Sequence, residues 1–148
     1  MLDRSRRCWD RRYSVPSRRL GREQALQTLY SIAVGGREPG EALSEVVGEG
    51  ADADHRAFVR DLVLGTLEFA GDADRVVGPL LEGWALERLP TIDRLLLEMG
   101  TYELRCRPET PAPVAINEAV ELAKRFSTED SGRFVNGVLN AVASHAKA

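Results

Sequence analysis

The sequence predicts an all-α protein of about seven helices, and three observations support this fold class. Apolar residues recur at intervals of three and four through most of the chain after residue 17, which is the spacing of one helix face. Glycine, proline and short polar turns separate these segments. No run of alternating β-branched residues suggests a sheet. The length of 148 residues suits one domain with a core of its own.

Four helices are predicted before Pro90. The first covers residues 18–34 and is stopped by the glycine pair at 35–36. Its apolar face comprises Ala25, Leu26, Leu29, Tyr30 and Ala33. The next three are predicted at residues 39–47, 52–69 and 72–89, the last of them bent near Gly78 and Gly83.

Three more helices are predicted after Pro90. One covers residues 91–105, and a proline-rich loop follows it. Two amphipathic helices fill residues 114–142, joined by a turn at 127–131 whose hydroxyls and carboxylates suit a helix start. Gly137 interrupts the last helix, and we interpret it as a site of close helix packing.

Composition excludes several classes of protein. The sequence contains no run of about 18 apolar residues, so it predicts no membrane span. The two cysteines fit a reducing cytoplasm, and His55 and His145 lie too far apart in the sequence to suggest a metal site. Phosphate-binding glycine loops, dinucleotide fingerprints and nucleophile elbows are absent from the sequence. We therefore expect neither an enzyme nor a cofactor.

Charge is distributed unevenly along the chain. Residues 1–22 hold eight Arg and two Asp, a net charge of +6, whereas the other residues carry −9. A basic arm on an acidic body indicates an anionic partner for the arm and a basic partner for the body. Arginine also suits phosphate through its planar guanidinium group. A general preference for Arg over Lys would explain the choice of residue but not this clustering.

Five blocks of the sequence resemble the NusB family of bacterial transcription antitermination factors. The blocks occur in the family's order and cover nearly all of residues 18–145: REQALQTLY, FVRDLVLG, LPTIDRLLLEMGTYEL, AINEAVELAKRF and TEDSGRFVNGVLNA. The resemblance implies two small three-helix bundles packed across each other. The helix boundaries predicted above fit that division, with a break near Gly71, and residues 17–148 would form a single domain.

Residues 1–16 lie outside the resemblance. They are rich in arginine, lack a helical apolar stripe and end in Pro16, which is typical of a segment that is disordered when free. Two interpretations stay open: a genuine RNA-binding tail, or an artefact of an upstream start codon with Val15 as the true start.

The resemblance implies an RNA-binding surface built from two groups of residues. Arg18, Arg19 and Arg22 begin the first helix, and Arg133 and Phe134 begin the last. Arginine neutralises phosphates, and an exposed aromatic ring stacks on bases of single-stranded RNA. From the pattern alone, Phe134 continues an apolar stripe and would pack in the core; the resemblance favours a partly exposed stacking role.

The resemblance also implies a protein partner, NusE, which is a basic ribosomal protein of the small subunit. The matching surface would include Tyr30, Glu87 and Asp93. The acids suit a basic partner, and tyrosine suits an interface anchor. Because Glu87 and Asp93 are remote in sequence from the arginines and Phe134, we expect partner binding and RNA binding to be separable by mutation.

The function implied is suppression of premature transcription termination, chiefly in ribosomal RNA operons. The protein would bind a boxA-like single-stranded RNA together with NusE and reach RNA polymerase through other Nus factors. Two alternatives stay open: an RNA-targeting module related to ribosomal RNA cytosine methyltransferases, and a structural homodimeric helical protein without affinity for RNA.

Overall fold

The computed structural model describes residues 18–145, and within that range all the regular secondary structure is helical. This confirms the predicted fold class. The six α-helices are α1 (Arg18–Gly35), α2 (Pro39–Val47), α3 (Ala53–Val77), α4 (Thr91–Cys106), α5 (Ala112–Phe126) and α6 (Glu129–His145). Two short 3₁₀ turns, Gly78–Leu80 and Leu86–Arg88, lie between α3 and α4.

The predicted break near Gly71 is wrong, and with it the separate helix at residues 72–89. Helix α3 runs without interruption through Gly71 for 25 residues, because a single interior glycine costs only about 1 kcal/mol and the buried stripe continues at Ala73 and Val77. The helix ends only where Gly78 precedes Pro79. The segment from there to α4 consists of turns, and it forms one side of the groove described below.

Helix α4 occupies the centre of the molecule. Helices α1, α2 and α3 pack on one another, α5 and α6 form the most extensive helix pair, and α4 contacts members of both groups. Buried leucines from every part of this arrangement join one continuous apolar core, among them Leu26, Leu29, Leu62, Leu96 and Leu139. Gly100 of α4 permits the close approach of α6, since a Cβ there would lie 2.7 Å from a methyl of Leu139.

A second close approach joins α3 and α4. The Tyr102 ring lies directly over Gly65, where a Cβ would overlap it, and its hydroxyl donates a hydrogen bond of 2.8 Å to Asp61. Nearby on the same helix pair, Arg94 bonds to Asp74 at 3.1 Å and to Glu98 at 3.3 Å. Burial, together with the neighbouring Asp74 carboxylate, raises the pKa of Glu98 to about 8.

Candidate nucleic-acid interface

The start of α1 displays two arginines to solvent. The Arg18 guanidinium lies 4.1 Å from the centre of the Phe58 ring, and Arg19 forms a two-pronged ion pair with Glu118 of α5 at 2.9 and 3.1 Å. Both side chains belong to exposed residues, so their charge is accessible to an anionic ligand. This placement is compatible with the basic surface predicted for them.

Arg22 departs from the prediction, because it is buried. Its residue is only 4% exposed, and its guanidinium donates two hydrogen bonds of 2.8 Å to the Glu103 carboxylate of α4. The missing side chain at Gly21 makes room for the Phe58 ring, since a Cβ there would lie 2.5 Å from it, and the centre of that ring lies 5.4 Å from the Arg22 guanidinium. A paired and buried guanidinium is not accessible to phosphate, so Arg22 fastens α1 to α4 instead.

The predicted residues of α6 line a groove of about 510 Å³. Arg133 is exposed and forms an ion pair with Asp130, whereas Phe134 is half-buried and contacts the edge of the core. The partly exposed position expected for Phe134 therefore agrees with the structure. Gly137 faces the same groove, and a Cβ at this position would have no other atom of the described residues within 4 Å. Its interpretation as a site of close helix packing is therefore wrong.

The same groove is also lined by a residue that was not predicted from the sequence. Trp84 lies in the turn segment before α4 and is 63% exposed, the largest fraction among the exposed large apolar side chains of the described residues. The Glu-Gly-Trp sequence after an apolar run could have indicated a displayed tryptophan, but the predicted helix at residues 72–89 obscured it.

Tyr30 lies at a different surface, in an apolar groove of about 230 Å³ with Leu26, Ile92 and Phe126. The residues Tyr30 and Phe126 are 41% and 38% exposed, although the periodicity of their helices places both on apolar faces. Helix faces are wide, and residues at the margin of a stripe stay in contact with solvent when no further element covers them. An exposed aromatic pair of this kind suits a protein interface.

Asp93 also departs from the prediction. It is 4% exposed, and its carboxylate accepts a hydrogen bond of 2.9 Å from the Ser131 hydroxyl of α6. Thr128 caps the same helix start by accepting from the Ser131 N–H at 2.9 Å. Asp93 is therefore part of the cap that positions Arg133 and Phe134. Glu87, in contrast, is exposed in the 3₁₀ turn before α4, as the prediction requires.

Other kinds of site find little support in the part of the chain that the structure describes. There, no group of three or more His, Cys, Asp or Glu is arranged to hold a metal ion. His55 makes a short contact of 2.5 Å with the Gln24 side chain, and burial lowers its pKa. None of the helices within residues 18–145 combines the length and apolar character that a membrane span requires.

Comparisons with known proteins agree with the fold. The model of the NusB family matches residues 19–144. The transcription antitermination protein NusB of Geobacillus kaustophilus is 47% identical over 121 residues, which cover 82% of this chain and 91% of the relative. That of Geobacter sulfurreducens is 44% identical over 131 residues, covering 86% and 94%.

Solved structures give the same result. NusB of T. maritima superposes with a TM-score of 0.82 at 34% identity, covering 87% of this chain and 92% of that one. A structure of the antitermination factors NusB and NusE in complex with dsRNA matches with a TM-score of 0.78 at 28% identity, covering 86% and 96%. This chain belongs to the NusB family.

Proposed function

We propose that this chain is a transcription antitermination factor that binds a boxA-like single-stranded RNA together with NusE. Through other Nus factors the complex reaches RNA polymerase and suppresses premature termination, chiefly in ribosomal RNA operons. The observation that carries the proposal is the groove beside α6, where the exposed Arg133 and the half-buried Phe134 lie together. The antitermination proteins among its relatives support it.

RNA contacts divide between two ends of α4. Arg18 and Arg19 lie at the end of α4 that carries Glu103, because neighbouring Arg22 bonds to that residue, whereas α6 begins at the other end, beside Asp93. Ten residues of helix separate Asp93 from Glu103, a distance of about 15 Å along the axis. An RNA strand of several nucleotides bridges such a gap, with phosphates at the arginines and an unpaired base at Phe134.

Single-stranded RNA fits this surface better than a duplex does. Bases in an A-form helix stack on each other and expose only their edges, whereas unpaired bases present their faces to aromatic rings. The half-buried Phe134 ring in an open groove is a platform for one such face. Arg133 beside it supplies positive charge for an adjoining phosphate. The phosphate would replace Asp130, the exposed carboxylate that pairs with Arg133 in the free chain.

The partner surface consists of the Tyr30 and Phe126 rings, together with the exposed Glu87 in the turn before α4. Aromatic anchors bury area at low entropic cost, and an acid at the margin steers a basic protein such as NusE. Asp93 contributes by holding the start of α6 through Ser131. Joining two weak RNA binders in one complex raises the effective concentration of each for the RNA, which is how the pair gains affinity.

The experiment is a titration of labelled boxA RNA with the chain alone and with NusE. Phe134→Ala should weaken RNA binding by about 1–3 kcal/mol, the usual contribution of one base stack. Phe126→Ala is the matched control: it removes a partly exposed ring from the Tyr30 groove, so it should weaken NusE binding and leave the affinity of the isolated chain for RNA unchanged.

Arg18→Glu with Arg19→Glu should weaken RNA binding further and reduce its dependence on salt concentration. Wild-type affinity for RNA in Phe134→Ala, with helicity intact by circular dichroism, would contradict the stacking role. Equal affinity for a boxA duplex would contradict the single-stranded assignment. Absence of any RNA affinity with NusE present would favour a purely structural protein.

A further inference from the structure

Trp84 is exposed to an extent that calls for an explanation. Its residue is 63% exposed, although tryptophan has one of the largest apolar surfaces of any side chain. Contiguous exposed apolar surface commonly marks a binding site, and Trp84 shares its groove with Pro79, Leu80 and Phe134. Neighbouring Leu81, three residues before Trp84, is 2% exposed and belongs to the core, so the segment itself is firmly anchored.

The backbone holds Trp84 in place by a tight turn. The backbone N–H of Trp84 donates a hydrogen bond of 3.0 Å to the Leu81 carbonyl oxygen. The two residues between them have positive φ, +39° at Glu82 and +88° at Gly83. A positive φ at a non-glycine residue is strained, and such strain is concentrated at functional sites because the surrounding structure must enforce it. The turn therefore fixes the backbone of Trp84 at a defined position on the surface.

The indole and the Phe134 ring line one groove. Gly137 of α6 lines the same groove, and a Cβ there would have no other atom of the described residues within 4 Å. Pro79 and Leu80 supply apolar surface, and the groove volume of about 510 Å³ lies in the range of small-ligand sites. The groove is thus open, and its lining includes two aromatic side chains, one from the turn segment and one from α6.

Charged groups at the rim limit what can occupy the groove. Arg133 carries a positive charge on the α6 side, and Glu82 carries a negative charge on the turn side. A phosphate is repelled from the turn side, whereas the N–H groups on the edge of a nucleobase can donate to a carboxylate there. The arrangement matches a nucleotide whose base points toward the turn and whose phosphate lies beside Arg133.

We propose that Trp84 and Phe134 form a two-sided slot for one unpaired nucleobase of RNA, with Arg133 binding the adjoining phosphate. This inference rests on the proposed function and deepens it by adding a base-recognition residue outside α6. The slot extends the RNA surface from α6 onto the turn that precedes α4. Stacking on an indole is sequence-tolerant, so the slot mainly adds affinity and fixes the register of the strand.

The test uses the full chain with Trp9→Phe, which leaves Trp84 as the single tryptophan reporter. Adding short single-stranded boxA RNA should quench and shift the Trp84 fluorescence, in the absence and in the presence of NusE. Trp84→Ala should weaken RNA binding about five- to a hundredfold. Trp84→Phe should retain most of the affinity, whereas Trp84→Leu, apolar but without a ring face, should behave like alanine.

A series of RNAs with one abasic nucleotide identifies the base in the slot. One of them should bind the wild-type chain and Trp84→Ala equally, because the base that the indole contacts is already missing. Since the indole is mostly exposed, the melting temperatures of these variants should stay close to the wild-type value.

Three results would overturn the slot and separate it from the proposed function. If Trp84→Ala binds RNA with wild-type affinity while Phe134→Ala binds it more weakly, the chain binds RNA as proposed but the indole takes no part. Loss of NusE binding by Trp84→Ala without RNA present assigns the groove to a protein partner. Absence of RNA binding by the wild-type chain with NusE refutes both proposals together.

Discussion

The buried ion pair between Arg22 and Glu103 allows a direct test of whether Arg22 serves the fold or the RNA. Arg22→Met keeps an apolar stem but leaves the Glu103 carboxylate, whose residue is 1% exposed, without its two hydrogen bonds of 2.8 Å. Breaking one side of a buried pair typically costs about 3–5 kcal/mol. For a chain of this length, each kcal/mol lowers Tm by about 2–4 °C, so a loss of about 6–20 °C is expected.

The second half of the test is a double-mutant cycle. Replacing both partners, Arg22→Met with Glu103→Leu, removes the orphaned carboxylate and should recover most of the lost free energy of unfolding, since apolar replacements of buried pairs are often neutral. Thermal and urea denaturation measure both quantities. A double variant as unstable as Arg22→Met would refute the coupling between the two side chains.

RNA binding supplies the complementary measurement. Arg18 is the matched control, because it lies on the same face of α1 and over the same Phe58 ring but is exposed. Arg18→Met should reduce the slope of log affinity against log salt by about 0.7, the value for one phosphate of single-stranded RNA. Arg22→Met, measured well below its Tm, should leave the slope unchanged. A reduced slope with a wild-type Tm would show that Arg22 binds phosphate after all.

Three further predictions concern positions that the tertiary structure singles out. Gly65→Ala forces a Cβ into a tyrosine ring of α4 and should cost about 1–3 kcal/mol of stability, whereas Gly71→Ala, in the same helix but facing open space, should stabilise by about 0.5–1 kcal/mol in urea denaturation. The pKa of Glu98 is raised to about 8 from 4.5, so between these values the folded state holds a proton that the unfolded chain releases. Stability should therefore fall as pH rises from 5 to 8, and Glu98→Gln should flatten that profile in thermal scans. If the carboxyl is ionised throughout this range, the wild-type chain will not show this fall in stability. Asp93→Ala should loosen the start of α6 and so lower Tm, NusE affinity and RNA affinity together. Glu87→Lys, on an exposed turn, should lower NusE affinity alone. Selective loss of NusE binding in both variants would mean that Asp93 faces the partner directly.

The expected separation of partner and RNA binding stays a prediction for Glu87, whereas the geometry argues against it for Asp93. In the sequence, Asp93 lies far from Phe134, and nothing local indicates that they are connected. In the structure, the Asp93 carboxylate bonds to Ser131, three residues before Phe134, so Asp93 is connected to the helix start that precedes Arg133 and Phe134. A charge-reversing variant at Asp93 is consequently a poor tool for removing NusE binding by itself.

Local patterns in the sequence determined most of the helices and the character of the surfaces. Apolar periodicity located α1, α2, α4, α5 and α6 to within a few residues, because a helix repeats every 3.6 residues whatever it packs against. The capped turn before α6 was also predicted, because its hydrogen bond joins a hydroxyl to an N–H only three residues further along the chain and is therefore local. Clustering of arginine at the start of α1 likewise follows from the sequence alone.

Only the tertiary structure decided which charged and aromatic side chains are exposed. Arg22 finds its partner 81 positions away, and no local pattern distinguishes it from the exposed Arg18 on the same helix face. Tyr30 stays exposed because none of the described helices covers the margin of its stripe. Trp84 is exposed because α3 ends at Gly78 and a strained turn replaces the expected helix. Periodicity describes what each segment can bury, whereas exposure depends on which distant segment arrives to cover it.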